Sequence, residues 1–162
     1  MAHSSLSASR DHAHVIAPPP LIFAAFLAAG AVAGSYVGWG IGLSSALRQV
    51  AGFGLLVAGT VFLALALGLF RRAQTCPEPW QPTTAIVSTG IYGITRNPMY
   101  VGMALAYAGV ALLAHSLMAL LLLPFALAVI HFGVIRREER YLEAKFGDEY
   151  RGYAARVRRW WL

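Results

Sequence analysis

Three stretches of this chain carry no Lys, Arg, Asp or Glu: Leu21 to Leu47, Gln49 to Phe70 and Pro98 to Ile135. About 20 apolar residues cross a bilayer core as a helix, so each of the first two is long enough for one span. The third holds 38 residues, too many for one helix and barely enough for two, and His115-Ser116 near its middle is the natural place to turn. The pattern predicts an all-α integral membrane protein with about four transmembrane helices, over 21–40, 50–70, 98–114 and 117–135. The last two form a tight hairpin. Residues 71–97 and 136–162 then fall outside the bilayer. Gly147 ends the helix that runs on from Arg136, and Asp148 is placed to cap the next. From there Tyr150, Tyr153, Val157, Trp160 and Trp161 recur at roughly helical spacing, with Arg151, Arg156, Arg158 and Arg159 mostly elsewhere. That is the pattern of a C-terminal amphipathic helix lying in the membrane interface.

Composition agrees: 58% of residues are hydrophobic, 12% are charged and the mean hydropathy is +0.60. The net charge of +6 would suit nucleic acid were it not for its placement. Of the 13 Lys and Arg, only Arg48 falls between the first and second spans; the other twelve lie before the first, between the second and third, or after the fourth. Alternating spans put those three regions on one side, and the positive-inside rule makes that side cytoplasmic. The charge sets topology and contact with membrane lipids, and no nucleic-acid partner is expected. A single cysteine, Cys76, excludes an intramolecular disulfide and is expected as a free thiol. Residues 1–20 read as a disordered tail rich in Ser, Ala and His up to Pro18-Pro19-Pro20. Its His3, His12 and His14 have no carboxylate or cysteine framework, so no metal is expected. Some twenty polar residues precede the first apolar stretch and another such stretch follows at once, which favours a retained span over a cleaved signal. Gly30, Gly34 and Gly38 share one face of the first helix and would admit a neighbouring helix of the same chain.

The loop between the second and third spans carries the unusual chemistry. From Ala73 to Arg96 it has 24 residues, and Pro77, Pro79 and Pro82 exclude regular helix there. Trp80, Ile86, Val87, Ile91 and Tyr92 are too apolar for a solvated linker, so the loop lies against the membrane or folds back over something. It ends in Gly-Ile-Tyr-Gly-Ile-Thr-Arg-Asn-Pro-Met-Tyr-Val-Gly, residues 90–102. Asn97 is a favoured N-cap and Pro98 a favoured first helical residue, so this segment starts the third helix. The same end offers unpaired N–H groups and a partial positive charge, an anion site that Arg96 would strengthen. Both readings stand. Gly102 would let a flat ligand, or equally another helix, approach the backbone beside Tyr100. Arg136-Arg137-Glu138-Glu139 closes the fourth span, as either a solvated charge cluster or a carboxylate wall facing inward. No Ser-His-Asp arrangement, metal-ligand spacing, P-loop or Gly-x-Gly-x-x-Gly is present.

Three blocks in order resemble the isoprenylcysteine carboxyl methyltransferases and their relatives, the phospholipid N-methyltransferases: Gly90, Tyr92, Arg96, Asn97, Pro98, Tyr100 and Gly102; then Glu138 and Glu139; then Phe146, Gly147, Tyr150, Tyr153 and Val157. The resemblance covers about Thr75 to Trp160 and implies a membrane methyltransferase domain over 21–162. It implies S-adenosylmethionine as methyl donor, bound without a Rossmann domain. Thr84, Ala85, Ile86, Val87 and Tyr92 would line the donor, and Asn97, Pro98, Met99 and Tyr100 would hold its polar end. Glu138 would bind it from the opposite wall, with Gly102 and Glu139 completing the set; Arg96, Asn97 and Glu138 are the catalytic candidates. Asn97 stands where the eukaryotic carboxyl methyltransferases have histidine, and Val134 where they carry a substrate-linked arginine. That points away from a prenylated protein's carboxylate and leaves an amine, a thiol or another nucleophile on a lipophilic small molecule or lipidated substrate. The expected setting is a bacterial inner membrane with the site facing the cytoplasm. The alternatives are a phospholipid amine N-methyltransferase, or a non-enzymatic four-helix scaffold or small transporter. A transporter would place ionisable residues mid-membrane, and only His115 and His131 qualify.

Overall fold

The structure is a computed structural model in which residues 12–160 are described. Four apolar helices stand where the uncharged stretches put them: α1 (Pro19–Val37), α2 (Ser45–Arg72), α3 (Pro98–Leu113) and α4 (Leu117–Ile130). A π-helical turn, His131–Ile135, carries α4 without a break into α5 (Arg136–Phe146), and α6 (Asp148–Arg156) follows. α1, α2 and the continuous run Leu117–Phe146 are each long and apolar enough to cross a membrane. α3 is shorter, with 16 residues; at 1.5 Å per residue it rises only about 24 Å against a hydrocarbon core of about 30 Å. The chain is an all-α integral membrane protein.

Helix ends move from the expected positions for local reasons. α1 starts at Pro19 because proline is tolerated in a first turn, and it stops where Gly38 turns left-handed, with φ 70. α2 begins at Ser45, earlier than its apolar run, because Ser44 Oγ accepts from the Leu47 N–H. The α3–α4 hairpin turns at the expected place. His115 takes a left-handed φ of 54, and Ser116 caps α4 by accepting from the Ala119 N–H at 3.2 Å.

Close approach between helices rests on glycine. A Cβ at Gly59 would lie 2.5 Å from the Gly102 carbonyl oxygen, and one at Gly109 would lie 2.7 Å from that of Gly52. α2 and α3 therefore meet backbone to backbone at two levels, about two turns apart. α1 meets α4 likewise, with Gly30 against the Ala119 backbone and Gly34 against Ser116 Oγ. In lipid, where burial of apolar surface gives helices no net attraction, such packing and interhelical hydrogen bonds hold a bundle together. Two such bonds tie these helices: Tyr107 Oη donates to the Ala119 carbonyl at 2.8 Å, and Ser116 Oγ to that of Gly30 at 3.2 Å.

The expected N-terminal tail divides. Residues 1–11 lie outside the described residues, whereas residues 12–18 form an ordered strap. Ala13 N–H donates to the Pro79 carbonyl at 3.0 Å, and Arg137 Nη1 donates to that of His14 at 2.8 Å. Ile16 lies directly over Gly133, and Val15 and Ala17 pack on the bundle core. Three apolar residues beside the prolines have a groove to fill, which a disordered tail would not.

Candidate functional site

The long loop, the start of α3, the glutamates of α5 and the tyrosines of α6 surround a single cavity. Phe70 at the end of α2 and Ala13 of the strap complete its wall. The loop folds back over it. Thr84 N–H donates to Thr75 Oγ1 at 2.9 Å, and Thr83 N–H donates to Tyr141 Oη at 3.2 Å, which pins the proline-rich half to α5.

The first turn of α3 is built differently from a side-chain-capped helix. Asn97 occupies the N-cap position but its side chain makes no cap bond. Instead Asn97 Nδ2 donates to the Arg159 carbonyl at 2.9 Å. The Tyr100 and Val101 N–H groups both donate to the Asn97 carbonyl at 3.1 Å, and Pro98 has no N–H. Met99 N–H, beside the cavity, is thus the first-turn donor without an acceptor among the described residues.

The π turn sets the opposite wall. One extra residue in a turn rotates everything after it by about 100° relative to an unbroken α-helix. Glu138 consequently meets Tyr100, whose hydroxyl donates to Oε1 at 2.5 Å. Among the described residues Glu138 has no ion-pair partner. Glu139, one residue on, is held by Arg96 Nη1 at 3.2 Å and by Arg159 through Nε at 2.8 Å and Nη2 at 2.6 Å. The Arg96 and Glu139 side chains are only 14% and 17% exposed, so this is a desolvated pair with forked support. Arg96 also donates to Tyr150 Oη at 3.3 Å, while its Nε is buried with no partner among the described residues.

Burial raises the Glu138 carboxyl's pKa above the ordinary carboxylate value; the Tyr100 hydrogen bond opposes the shift and the Glu139 charge adds to it. Burial likewise raises the phenols of Tyr92, Tyr150 and Tyr153. These tyrosines are neutral at physiological pH and act as hydrogen-bonding, aromatic walls. Among the described residues the site can thus offer a carboxylate without a cation, a carboxylate already matched by two guanidiniums, and a free N–H at one helix start.

Of the expected donor-binding residues, Ala85, Ile86, Val87, Tyr92, Asn97, Met99, Tyr100, Glu138 and Glu139 line this cavity, with Arg96 among them. Thr84, Pro98 and Gly102 do not. Thr84 braces the loop, Pro98 is fully buried at the helix start, and Gly102 faces Gly59, Phe62 and Leu63 of α2. The expected interfacial face of the last helix is also turned inward. Tyr150, Tyr153 and Val157 pack on Ile86, Leu142 and Phe146, and Tyr153 Oη donates to the Tyr92 carbonyl at 2.8 Å. Gly147 ends α5 as expected, but Asp148 opens α6 without capping it and receives Arg151 at 2.7 Å instead. Trp160 packs on the core and Trp161 lies outside the described residues. Sequence reasoning passed over Arg159 and Ala13. Arg159 reads as one more charge in a basic tail, and Ala13 carries no pattern at all.

Comparison with known proteins adds the following. The phospholipid methyltransferase family matches residues 47–149. An uncharacterized protein of Haemophilus influenzae is 54% identical over 48 residues, covering 30% of this chain and 75% of its own length. Protein-S-isoprenylcysteine O-methyltransferase of Schizosaccharomyces pombe is 35% identical, over 57% of this chain and 44% of that one. Nickel-cobalt-cadmium resistance protein NccN of Alcaligenes xylosoxydans xylosoxydans is 30% identical, over 71% of this chain and 49% of its own. The chain thus spans about half the length of these last two relatives. Among the described residues no group of three or more His, Cys, Asp and Glu is placed to hold a metal ion. No solved structure gives a significant match. The family match takes in the loop, all of α3 and the Glu138-Glu139 pair, and on it the chain belongs to the phospholipid methyltransferase family.

Proposed function

We propose that this protein transfers a methyl group from S-adenosylmethionine to a lipophilic acceptor at the cytoplasmic face of the membrane. The observation that carries this reading is the half-buried Glu138, a carboxylate without a cation among the described residues, opposite a helix start with one free N–H. S-adenosylmethionine has the matching charges. Its carboxylate suits Met99 N–H and the Arg96 guanidinium, and its ammonium or ribose hydroxyls suit Glu138. The walls offered by Ile86, Val87 and Phe70 suit its adenine. The rings of Tyr92 and Tyr153 suit a sulfonium. When bound, the donor supplies a methyl on that sulfonium, which leaves as a neutral thioether once an acceptor lone pair takes the methyl.

The chain's own residues need only align donor and acceptor and exclude water. The loop and α6 cover the cavity, Glu138 and Arg96 fix the two charged ends, and Tyr100 orients Glu138. Family membership and the Schizosaccharomyces pombe relative support methyl transfer on a membrane substrate. A second reading, an amine on a phospholipid headgroup as acceptor, draws on the same unpaired carboxylate. Incubating the detergent-solubilised protein with methyl-labelled donor and a bacterial lipid extract should label a lipid-soluble product. Identification of that product separates the two acceptors, and absence of label from every lipid and lipidated fraction would sink the reading. The orientation is tested by membrane-impermeant labelling of cysteines placed at Arg72 and Gly42, with label from the outside expected at position 42 alone.

A further inference from the structure

The chain leaves α6 at Val157 with extended φ −117 and ψ 129 and turns back to the start of α3. It is stitched to the start of α3 at three points. Arg96 N–H donates to the Arg158 carbonyl at 3.0 Å; Thr95 Oγ1 and Asn97 Nδ2 both donate to the Arg159 carbonyl at 2.9 Å. Thr95 is 1% exposed and Asn97 7%, so these bonds are shielded from water. From the same residue the guanidinium forks onto both oxygens of Glu139, and the next residue, Trp160, stacks on His131 at 6.4 Å. Arg159 itself does not line the cavity; Arg96 and Glu139 do.

We propose that Arg159 is a positioning residue for the donor site, acting through Glu139 on Arg96. The charge count explains how. Glu139 alone would neutralise Arg96, and both its oxygens would be free to close on that guanidinium. With Arg159 occupying one oxygen fully and sharing the other, two cations face one carboxylate, and a net positive charge remains at the start of α3. That charge lies where a donor carboxylate would bind, so the inference rests on the donor reading above. The three backbone stitches fix the register, because they hold residues 95–97 against the segment that carries the guanidinium.

The test measures S-adenosylhomocysteine binding by calorimetry on the full chain in detergent, for wild type, Arg159→Gln, Arg159→Lys, Glu139→Gln and the Arg159→Gln/Glu139→Gln double variant. Thermal unfolding of each reports whether it is folded. Arg159→Gln should weaken binding about tenfold, the scale of one hydrogen bond to a charged group, and Arg159→Lys should fall between it and wild type. The discriminating result is the double variant. Removing the Glu139 charge frees Arg96 again, so the double variant should bind more tightly than Arg159→Gln alone. A merely structural role predicts the opposite, since two lost contacts destabilise more than one. Wild-type affinity in Arg159→Gln, or a double variant no better than that single one, overturns the proposal. Where wild type itself fails to bind, the donor reading falls and takes this inference with it; where wild type binds and Arg159 proves indifferent, only the inference falls.

Discussion

Glu138→Gln should weaken S-adenosylhomocysteine binding by about 1.5–3 kcal/mol, the scale of a hydrogen bond to a charged group. Arg136, two residues earlier and exposed, lies over the Phe132 ring at 5.7 Å; Arg136→Gln should change binding by at most about 1 kcal/mol. Tyr100→Phe removes the bond that orients Glu138 and should fall between them. Isothermal calorimetry on the three variants gives the ranking, and equal small effects at Glu138 and Arg136 would reduce the α5 cluster to a solvated helix end. The same substitution carries a pH signature. Burial holds the Glu138 carboxyl above its ordinary pKa, so the folded protein binds that proton more tightly than the unfolded chain. Its ionisation works against folding: this contribution to stability is lost as pH rises from the ordinary carboxylate value through the folded one. Without ligand, the stability of Glu138→Gln relative to wild type should therefore grow with pH across that window. Saturating S-adenosylhomocysteine, which favours wild type, should reverse the order at neutral pH. Thermal unfolding at a series of pH values checks both, and parallel profiles would show that Glu138 ionises as it does in the unfolded chain.

Gly59→Leu should destabilise the protein by about 3 kcal/mol, the upper range of overpacking costs. A Cβ there would meet the Gly102 carbonyl oxygen at 2.5 Å and the Ala106 nitrogen at 2.6 Å, both of them backbone. No rotamer change relieves such a contact, so α3 must move away from α2 and carry Met99 and Tyr100 with it. Donor binding should weaken in proportion. Gly54→Leu on the same helix is the control, since a Cβ there has nothing within 4 Å; its stability should be unchanged or slightly raised, as leucine is the better helix former. Unfolding midpoints in one detergent decide the matter. A wild-type midpoint for Gly59→Leu would mean that α2 and α3 are not held by this contact.

The membrane helices were legible because lipid tolerates so few charges that their absence marks a span. The hairpin at His115-Ser116 was legible for the same reason, once the third run proved too long for one helix. What the pattern left open were residues whose role depends on a distant partner. Gly102 could face a ligand or a helix, and only the position of Gly59 makes it the latter. Asn97 has every local mark of a cap, yet the Arg159 carbonyl, supplied from 62 residues away, takes its side chain. The tyrosines of α6 have the spacing of a membrane-facing stripe, and the apolar loop gives them somewhere else to go. The π turn has no local mark either, since His131-Phe132-Gly133-Val134-Ile135 continues an apolar helical run. It is nonetheless the turn that brings Glu138 to Tyr100.

The strap has a practical consequence for handling the molecule. Ala13 forms part of the cavity wall, so residues 12–18 must stay in place for that wall to be complete. Residues 158–160 are no freer, because they are stitched to the start of α3 and Trp160 packs on the bundle core. An insertion within either segment would therefore disturb the cavity or the helix start beside it. The turn between α1 and α2 is the place for one. Gly38 and Gly42 there have nothing within 4 Å of an added side chain, and the turn lies at the far end of the bundle. Surface turns of that kind tolerate insertion, and a tag at Gly42 would leave both the strap and the stitched segment untouched.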